Sequence, residues 1–481
     1  MEKIKPAKYV RDRMRHLLDA GDPWVPIWRN YLLSLLTIKL LEDIARDAGV
    51  DKSPWIDLRL PESCSFYRIY QHRLEAGVGS IISSMVSDLE HCNPAILGGA
   101  FAAGSFDNGL ELDETRARTL TSLIELVKAV DLRPSAMVAV NGYGHFFAEI
   151  IDYFAAFERK SAHFNVPPGP SRLVSQLLDP KPGSSIHDPS CGAGSLLAAF
   201  ASLHGNNFYD LSGQESDAGQ FSQCKVNMLF NGILSARIEQ SDCLHSPMVD
   251  DAGELMKFDV VVSNPPYGLA NWGSEQAKVD RFSRFWRGVP PKGRADYAFL
   301  SHMVESARAD TGKIAALLPA GVLFRGGNEA IIRESIVQEN LIECVLALPA
   351  SLFYGSSIPV VLLILNKGKS TSNILFIDAS RDFVPENGRN AINEIHELKI
   401  LNAFKASGNV EGYSYTAGID EVRAQDYNLD VSRYVRAPVA DLSIEVLATE
   451  IQAIEGELAG VQKKLVSSLE KLGLSVGSGK I

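Results

Sequence analysis

Near the start of the chain, apolar residues recur at three- and four-residue spacing: Leu32, Leu33, Leu36, Leu40, Leu41 and Ile44, and again Leu120, Leu123, Leu126, Val127 and Val130. That spacing predicts helices with one apolar face. The pattern stays mostly helical to about residue 155. From about 156 to 437 short β-branched runs alternate with helical stretches, the signature of a parallel sheet with crossover helices. Residues 185–187, 209–213, 237–239, 259–263, 313–318, 343–348 and 360–366 read as strands, and Ser171 can cap a helix carrying Leu173, Val174, Leu177 and Leu178 on one side. Beyond 438, spacings of four and three link Leu447, Ile451, Ile454, Leu458, Val461 and Leu465, with Leu472 back in phase. So narrow a seam suits a coiled coil. This long helix either folds back on its own chain or docks on a partner, and Gly456 and Gly460, which weaken it in isolation, favour a partner. The tail from Gly473 is expected to be disordered.

Three regions are therefore expected: a helical domain over 1–155, an α/β domain over 156–437, and a C-terminal helix and tail over 438–481. A length of 481 residues agrees with more than one domain. The formal net charge of −11 weighs against a stand-alone nucleic-acid binder, so any such contact must come from a local basic patch or a partner. Six dispersed cysteines show neither a Cys-x-x-Cys pair nor zinc spacing, and no metal site is expected. The longest apolar stretch, from Tyr31 to Leu41, contains Lys39 and is too short to cross a bilayer; no apolar leader is visible. The expectation is a reduced, soluble, cytoplasmic protein.

The candidate chemistry lies at strand ends. His187-Asp188-Pro189-Ser190-Cys191-Gly192-Ala193-Gly194-Ser195 joins the first strand to an apolar helix, and its glycines allow close backbone approach to a ligand. A tight turn alone explains such a string equally well. Glu215 at the next strand end can accept both hydroxyls of a ribose, and Asp242 after the third can meet an adenine amine. The three together describe an adenosine-bearing cofactor without separating nicotinamide enzymes from methyltransferases, although Leu197 breaks the Gly-x-Gly-x-x-Gly fingerprint of dinucleotide binders.

The fourth strand runs into Asn264-Pro265-Pro266-Tyr267. An exocyclic amine on an aromatic base is a poor nucleophile, because its lone pair is delocalised into the ring. The Asn264 side-chain oxygen and the Pro265 carbonyl can grip its N–H bonds and favour a tetrahedral nitrogen. Pro265 and Pro266 stiffen the turn, and Tyr267 offers a flat face to an extruded base. Residues 271–294 follow as a polar insert with six basic residues, among them Lys278, Arg281, Arg284 and Arg287, against two acids. Trp272, Phe282, Phe285 and Trp286 are interleaved with them. A charge run is commonly just a solvated face, but this mixture beside Tyr267 suits phosphate contact plus stacking on an unpaired base, and Lys278, Arg281, Arg284, Trp286 and Arg287 are the expected nucleic-acid contacts.

With these strings in hand, the chain resembles the amino-type DNA methyltransferases, most closely the modification subunit of type I restriction–modification systems. Asp188–Gly194, Gly213-Gln214-Glu215 and Asn264–Tyr267 carry the resemblance. So do Asp296-Tyr297-Ala298-Phe299-Leu300, the run from Leu318 to Gly327, Leu352-Phe353-Tyr354-Gly355 with Ile358-Pro359, and the run from Tyr427 to Tyr434. The resemblance implies a doubly wound, mostly parallel methyltransferase fold that takes S-adenosylmethionine through Asp188, Cys191, Gly192, Gly194, Glu215 and Asp242. It implies methylation of adenine N6 in duplex DNA. Where the family usually has Phe-Tyr-Thr-Pro along the methionine part of the cofactor, this chain has Phe164-Asn165-Val166-Pro167, so only Phe164 and Pro167 carry over. The implied partners are DNA, a specificity subunit, a second copy of the chain, and a restriction (nuclease–translocase) subunit; no membrane is implied. Competing readings are a methyltransferase acting on RNA or on a protein glutamine, and a catalytically silent scaffold.

Overall fold

The computed structural model describes residues 6–17, 25–47, 55, 58–75, 77–101, 114–137, 142–157, 165–204, 208–386 and 388–436, together with scattered helical positions between 451 and 465. The expected positions Phe164, Leu447, Ile454 and Leu472, and the tail from Gly473, lie outside the described residues.

Eleven strands occur among them: β1 (Ser185–Asp188), β2 (Asp210–Glu215), β3 (Arg237–Gln240), β4 (Val260–Ser263), β5 (Lys313–Pro319), β6 (Ile342–Ala347), β7 (Val360–Asn366), β8 (Asn373–Asp378), β9 (Val384–Glu386), β10 (Arg389–Ala391) and β11 (Ser414–Gly418). Nine of them form one sheet in the order β11-β8-β6-β7-β5-β4-β1-β2-β3, while β9 and β10 make a separate hairpin. The stretch from β3 to β5 is wholly parallel; β7 runs against both neighbours, β5 and β6. Every residue of β4 is buried, as expected of a central parallel strand with both faces covered. The chain leaves β1 for β2 on one side, whereas β4 lies on its other side. The carboxyl ends of β1 and β4 thus border a switch point, where doubly wound sheets open a crevice.

The seven strands read from the sequence coincide with β1 to β7 to within a residue or two. The expected cap at Ser171 does not. The helix starts earlier, at Pro168, and Ser171 lies inside it, donating to the Val166 carbonyl at 3.3 Å. Prolines at 168 and 170 suit a first turn, because amides there have no intrahelical acceptor.

Residues 1–435, which span the boundary expected near 155, form one compact unit. Helix Val25–Arg46 is buried on every side from Trp28 to Ile44, wider than the stripe its spacing suggested. Four of its charges pair within the helix: Lys39 with Asp43, and Glu42 with Arg46 at 2.6 Å. The helical core continues into the α/β layer through Ala193, Val226, Leu229 and Phe230. Phe147 stacks on Phe230 at 4.7 Å, and the Trp55 indole donates to the Leu229 carbonyl at 2.9 Å. A buried aromatic pair of this kind adds about 1 kcal/mol beyond its area. The second unit, residues 436–481, presents Ile451, Leu458, Val461 and Leu465 as exposed helical positions. Among the described residues no helix is long and apolar enough to cross a membrane, and no cluster of metal-ligating side chains occurs.

Candidate active site

β1 ends on Asp188, which is 1% exposed and accepts hydrogen bonds from the Ser190 amide at 3.1 Å and the Ser263 hydroxyl at 2.8 Å. Burial pushes its carboxyl up to about 7. The next turn carries Gly192 and Gly194 in left-handed conformation, at φ 54° and 79°. At Gly194 a side chain is also excluded by space, because a Cβ would lie 2.8 Å from both the Cys224 sulfur and the Met228 methyl. The Gly192 amide donates to Glu215 at 2.9 Å, and the Asp217 amide donates to its other oxygen at 2.8 Å. Glu215 therefore sits at the tip of β2 facing the glycine turn, its carboxyl raised by burial. The Cys191 thiol is buried, 3.7 Å from the Cys224 sulfur that underlies Gly194.

Asp242 follows β3 and folds over its own loop, accepting from the Leu244 amide at 2.9 Å and bonding His245 at 2.8 Å. Pro167 caps helix Pro168–Leu178, and Asn165 accepts the Ser195 hydroxyl at 2.7 Å. The segment departing from the family string is thus tied directly to the helix that follows the glycine turn. A narrow cavity, too tight to admit a water molecule, lies between Val166, Asp188, Ser190, Cys191, Ser195, Leu196 and Asn264.

Asn264-Pro265-Pro266-Tyr267 leaves the carboxyl end of β4 on the other side of this cavity. Asn264 is 3% exposed, and its side-chain oxygen accepts the Tyr267 hydroxyl at 2.6 Å. The Tyr267 ring meets the edge of Phe353 with centroids 6.3 Å apart and planes at 83°. Burial, reinforced by the Asp296 charge, holds the phenol well above its ordinary range, so it keeps its proton. Ser190 and Ser263 bridge the two loops, their hydroxyl oxygens 2.6 Å apart. Neither serine nor Phe353 was singled out for a role from sequence. Serines after Pro189 and before Asn264 were the available signal.

The insert corrects part of the expectation. Arg284 is 3% exposed, bonded to Asp280 at 2.7 Å and to the carbonyls of Cys243 and Leu244 at 2.9 and 2.8 Å. Arg287 is buried between Glu305 and Glu339, at 2.7 and 2.6 Å. Both guanidinium groups are consumed in holding the insert to the protein, and neither faces a ligand. Trp272 and Phe285 are buried in a small core that joins the insert to Cys243, Leu244, Ala295 and Phe299. Lys278, Arg281, Lys292, Arg294 and the indole of Trp286 remain exposed.

The chain matches the N-6 DNA methylase family over residues 140–441. It is 32% identical over 377 residues to the type I restriction enzyme MjaVII methylase subunit of Methanocaldococcus jannaschii, covering 74% of this chain and 64% of that one. With the MjaIX methylase subunit of the same organism it shares 28% over 441 residues, 86% of this chain and 75% of the relative. The chain spans less than two thirds of the MjaVII and MjaVIII relatives. Among solved structures, the type I restriction–modification methyltransferase subunit from Streptococcus thermophilus superposes with a TM-score of 0.74 at 24% identity, covering 90% of this chain and 98% of that one. The sheet order, the glycine turn after β1 and the tetrapeptide after β4 all lie within the matched residues, and the chain belongs to the N-6 DNA methylase family.

Proposed function

We propose that this chain moves a methyl group from S-adenosylmethionine to the N6 amine of adenine in duplex DNA, as the modification subunit of a type I restriction–modification assembly. The observation that carries the reading is the placement of Asn264–Tyr267 at the carboxyl end of buried β4, across a small cavity from the glycine turn after β1.

The residues present fit the cofactor. Glu215, at the tip of β2, turns both carboxylate oxygens toward backbone amides around the glycine turn, and a carboxylate so placed can still accept ribose hydroxyls. Gly194 has no room for a side chain, and Asp242 follows the third strand with its carboxylate half-exposed. S-adenosylmethionine supplies an electrophilic methyl on a sulfonium, and no metal is required. The protein's part is alignment. Asn264 and the Pro265 carbonyl draw on the amine's N–H bonds, the prolines hold those acceptors in one direction, and Tyr267 stacks against the extruded ring. Lys278, Arg281 and Trp286 serve the DNA from the exposed side of the insert, joined by Lys292 and Arg294.

As the resemblance to type I modification subunits implies, base specificity comes from a partner subunit that holds two copies of this chain. Ile451, Leu458, Val461 and Leu465 form the exposed apolar positions for that docking, and a restriction subunit joins the same core. Titration of S-adenosylmethionine into the full chain, with a nicotinamide cofactor as control, tests the first half of the reading. Transfer of labelled methyl to DNA in the presence of the specificity partner tests the second. Cofactor binding without transfer to any DNA, RNA or protein amide would instead identify a scaffold.

A further inference from the structure

Three chain segments distant in sequence meet at the peptide that follows Tyr267. The Gly268 amide donates to the Asp296 carboxylate at 2.9 Å. Asp296 opens helix Asp296–Ser306 and is 1% exposed. Its second oxygen takes the Arg325 guanidinium at 2.6 Å. Arg325 also lies 3.4 Å from buried Glu329, which pairs with Arg294 at 3.8 Å. The segment bearing Arg325 is itself pinned: the Tyr297 hydroxyl donates to the Val322 carbonyl at 2.8 Å, and Arg333 donates to the Val322 and Arg325 carbonyls at 3.2 and 2.9 Å. The Ala320 amide then binds the Pro359 carbonyl at 2.9 Å, which ties in the approach to β7.

A buried carboxylate that spends one oxygen on a single exposed-loop amide, and the other on a charge-balancing arginine, is built to fix that amide's direction. Gly268 is left-handed at φ 62°, and a Cβ there would meet nothing within 4 Å. Glycine is required at this position for backbone handedness and not for space, so the turn after Tyr267 has a conformation that its own sequence does not otherwise enforce. Pro265 and Pro266 stiffen the turn at its centre and the Tyr267 hydroxyl ties back to Asn264, but the Tyr267–Gly268 peptide itself is held from outside the tetrapeptide.

We infer that Asp296, balanced by Arg325, is a positioning residue that clamps the Tyr267–Gly268 peptide and so aims Tyr267 and Asn264 at the target base. The inference rests on the function proposed above for the tetrapeptide. A misplacement of about 1 Å in an aligned site costs roughly a hundredfold in rate.

The test compares Asp296→Ala, which removes the acceptor, with Asp296→Asn, which keeps an oxygen for the Gly268 amide. In the full chain, Asp296→Ala should speed hydrogen exchange at the Gly268 amide at least ~10-fold, whereas Asp296→Asn should leave it near wild type. In the complex with its DNA-reading partner, Asp296→Ala should lower kcat about 100-fold with the S-adenosylmethionine Kd within about twofold. Asp296→Asn should recover kcat to within about tenfold of wild type. Unchanged Gly268 exchange in Asp296→Ala, a wild-type kcat, or cofactor affinity falling in step with kcat would each overturn the clamp. If Asp296→Ala fails to fold, Gly268→Ala strains the same peptide without a clash; a fall of about tenfold in kcat supports the clamp and no fall refutes it. Faster exchange together with a wild-type protein that methylates no DNA would leave the clamp standing and remove the proposed function.

Discussion

The tetrapeptide after β4 and the insert that directly follows it invert the usual reading of polar residues. Asn264 and Tyr267 belong to a buried turn whose polar atoms bond chiefly to one another and to neighbouring loops. The insert looks from its charge like a surface made for a polyanion, yet two of its four arginines, Arg284 and Arg287, are interior struts. Residue type therefore reports chemistry well where backbone geometry restricts the choices, as at Asn-Pro-Pro-Tyr. It reports chemistry poorly where a long flexible cation can turn inward and find carboxylates and carbonyls.

The largest separation between the two regions should come from Asn264→Ala. It is expected to lower methyl transfer about a thousandfold, the upper range for removing one aimed polar group, while the S-adenosylmethionine Kd measured by titration stays within about twofold. Equal loss of both would place Asn264 against the cofactor and not the base. Next is Arg284→Ala, which leaves Asp280 and two carbonyls buried without their donor. A loss of about 3–5 kcal/mol in urea unfolding is expected, and an unchanged midpoint would return Arg284 to the DNA-facing set.

Asp188 sharpens the buried side of the comparison through pH. Its folded carboxyl titrates at about 7 against an ordinary 3.8, so the native state holds a proton that the unfolded chain has released. Its contribution is full below the ordinary carboxyl range and is lost as pH rises to about 7, by on the order of 2–4 kcal/mol. Asp188→Asn keeps the acceptor oxygen and should abolish that part of the decline between pH 5 and pH 8. Parallel curves for the two proteins would assign the decline to other groups. The smallest effect is expected from exposed Lys278→Ala: stability within about 0.5 kcal/mol, and a slope of log affinity against log salt reduced by about 1. A destabilisation as large as that of Arg284→Ala would erase the distinction between strut and contact.

The seven strands from β1 to β7 were legible because each is a short apolar run closed by polar or glycine-rich turns. β11 was not, since Ser414–Gly418 is an edge strand with little apolar pattern; β9 and β10 are only three residues each. β8 carries only the short apolar run Ile374–Ile377. At the site, Asp188, Gly192, Gly194, Glu215 and Asn264–Tyr267 do converge at adjoining strand ends, because their order along alternating β and α elements already implies it. The Phe353 contact and the Asp296–Gly268 bond depend on segments about 90 and 30 residues away in the chain, respectively, and no local spacing encodes such pairings. The contact of Cys191 with Cys224, 33 residues away, is hidden for the same reason.

The hydrogen bond from Tyr267 to Asn264 has a consequence for selectivity. In the free protein the phenol is an intramolecular competitor for the oxygen proposed to receive the adenine amine. An incoming base is credited only with the difference between two similar bonds, not with the whole of one. Capture must then be driven by what accompanies the amine, namely ring stacking and the pull of the partner-bound duplex. A stray amine in solution, bringing neither, has nothing with which to displace the phenol.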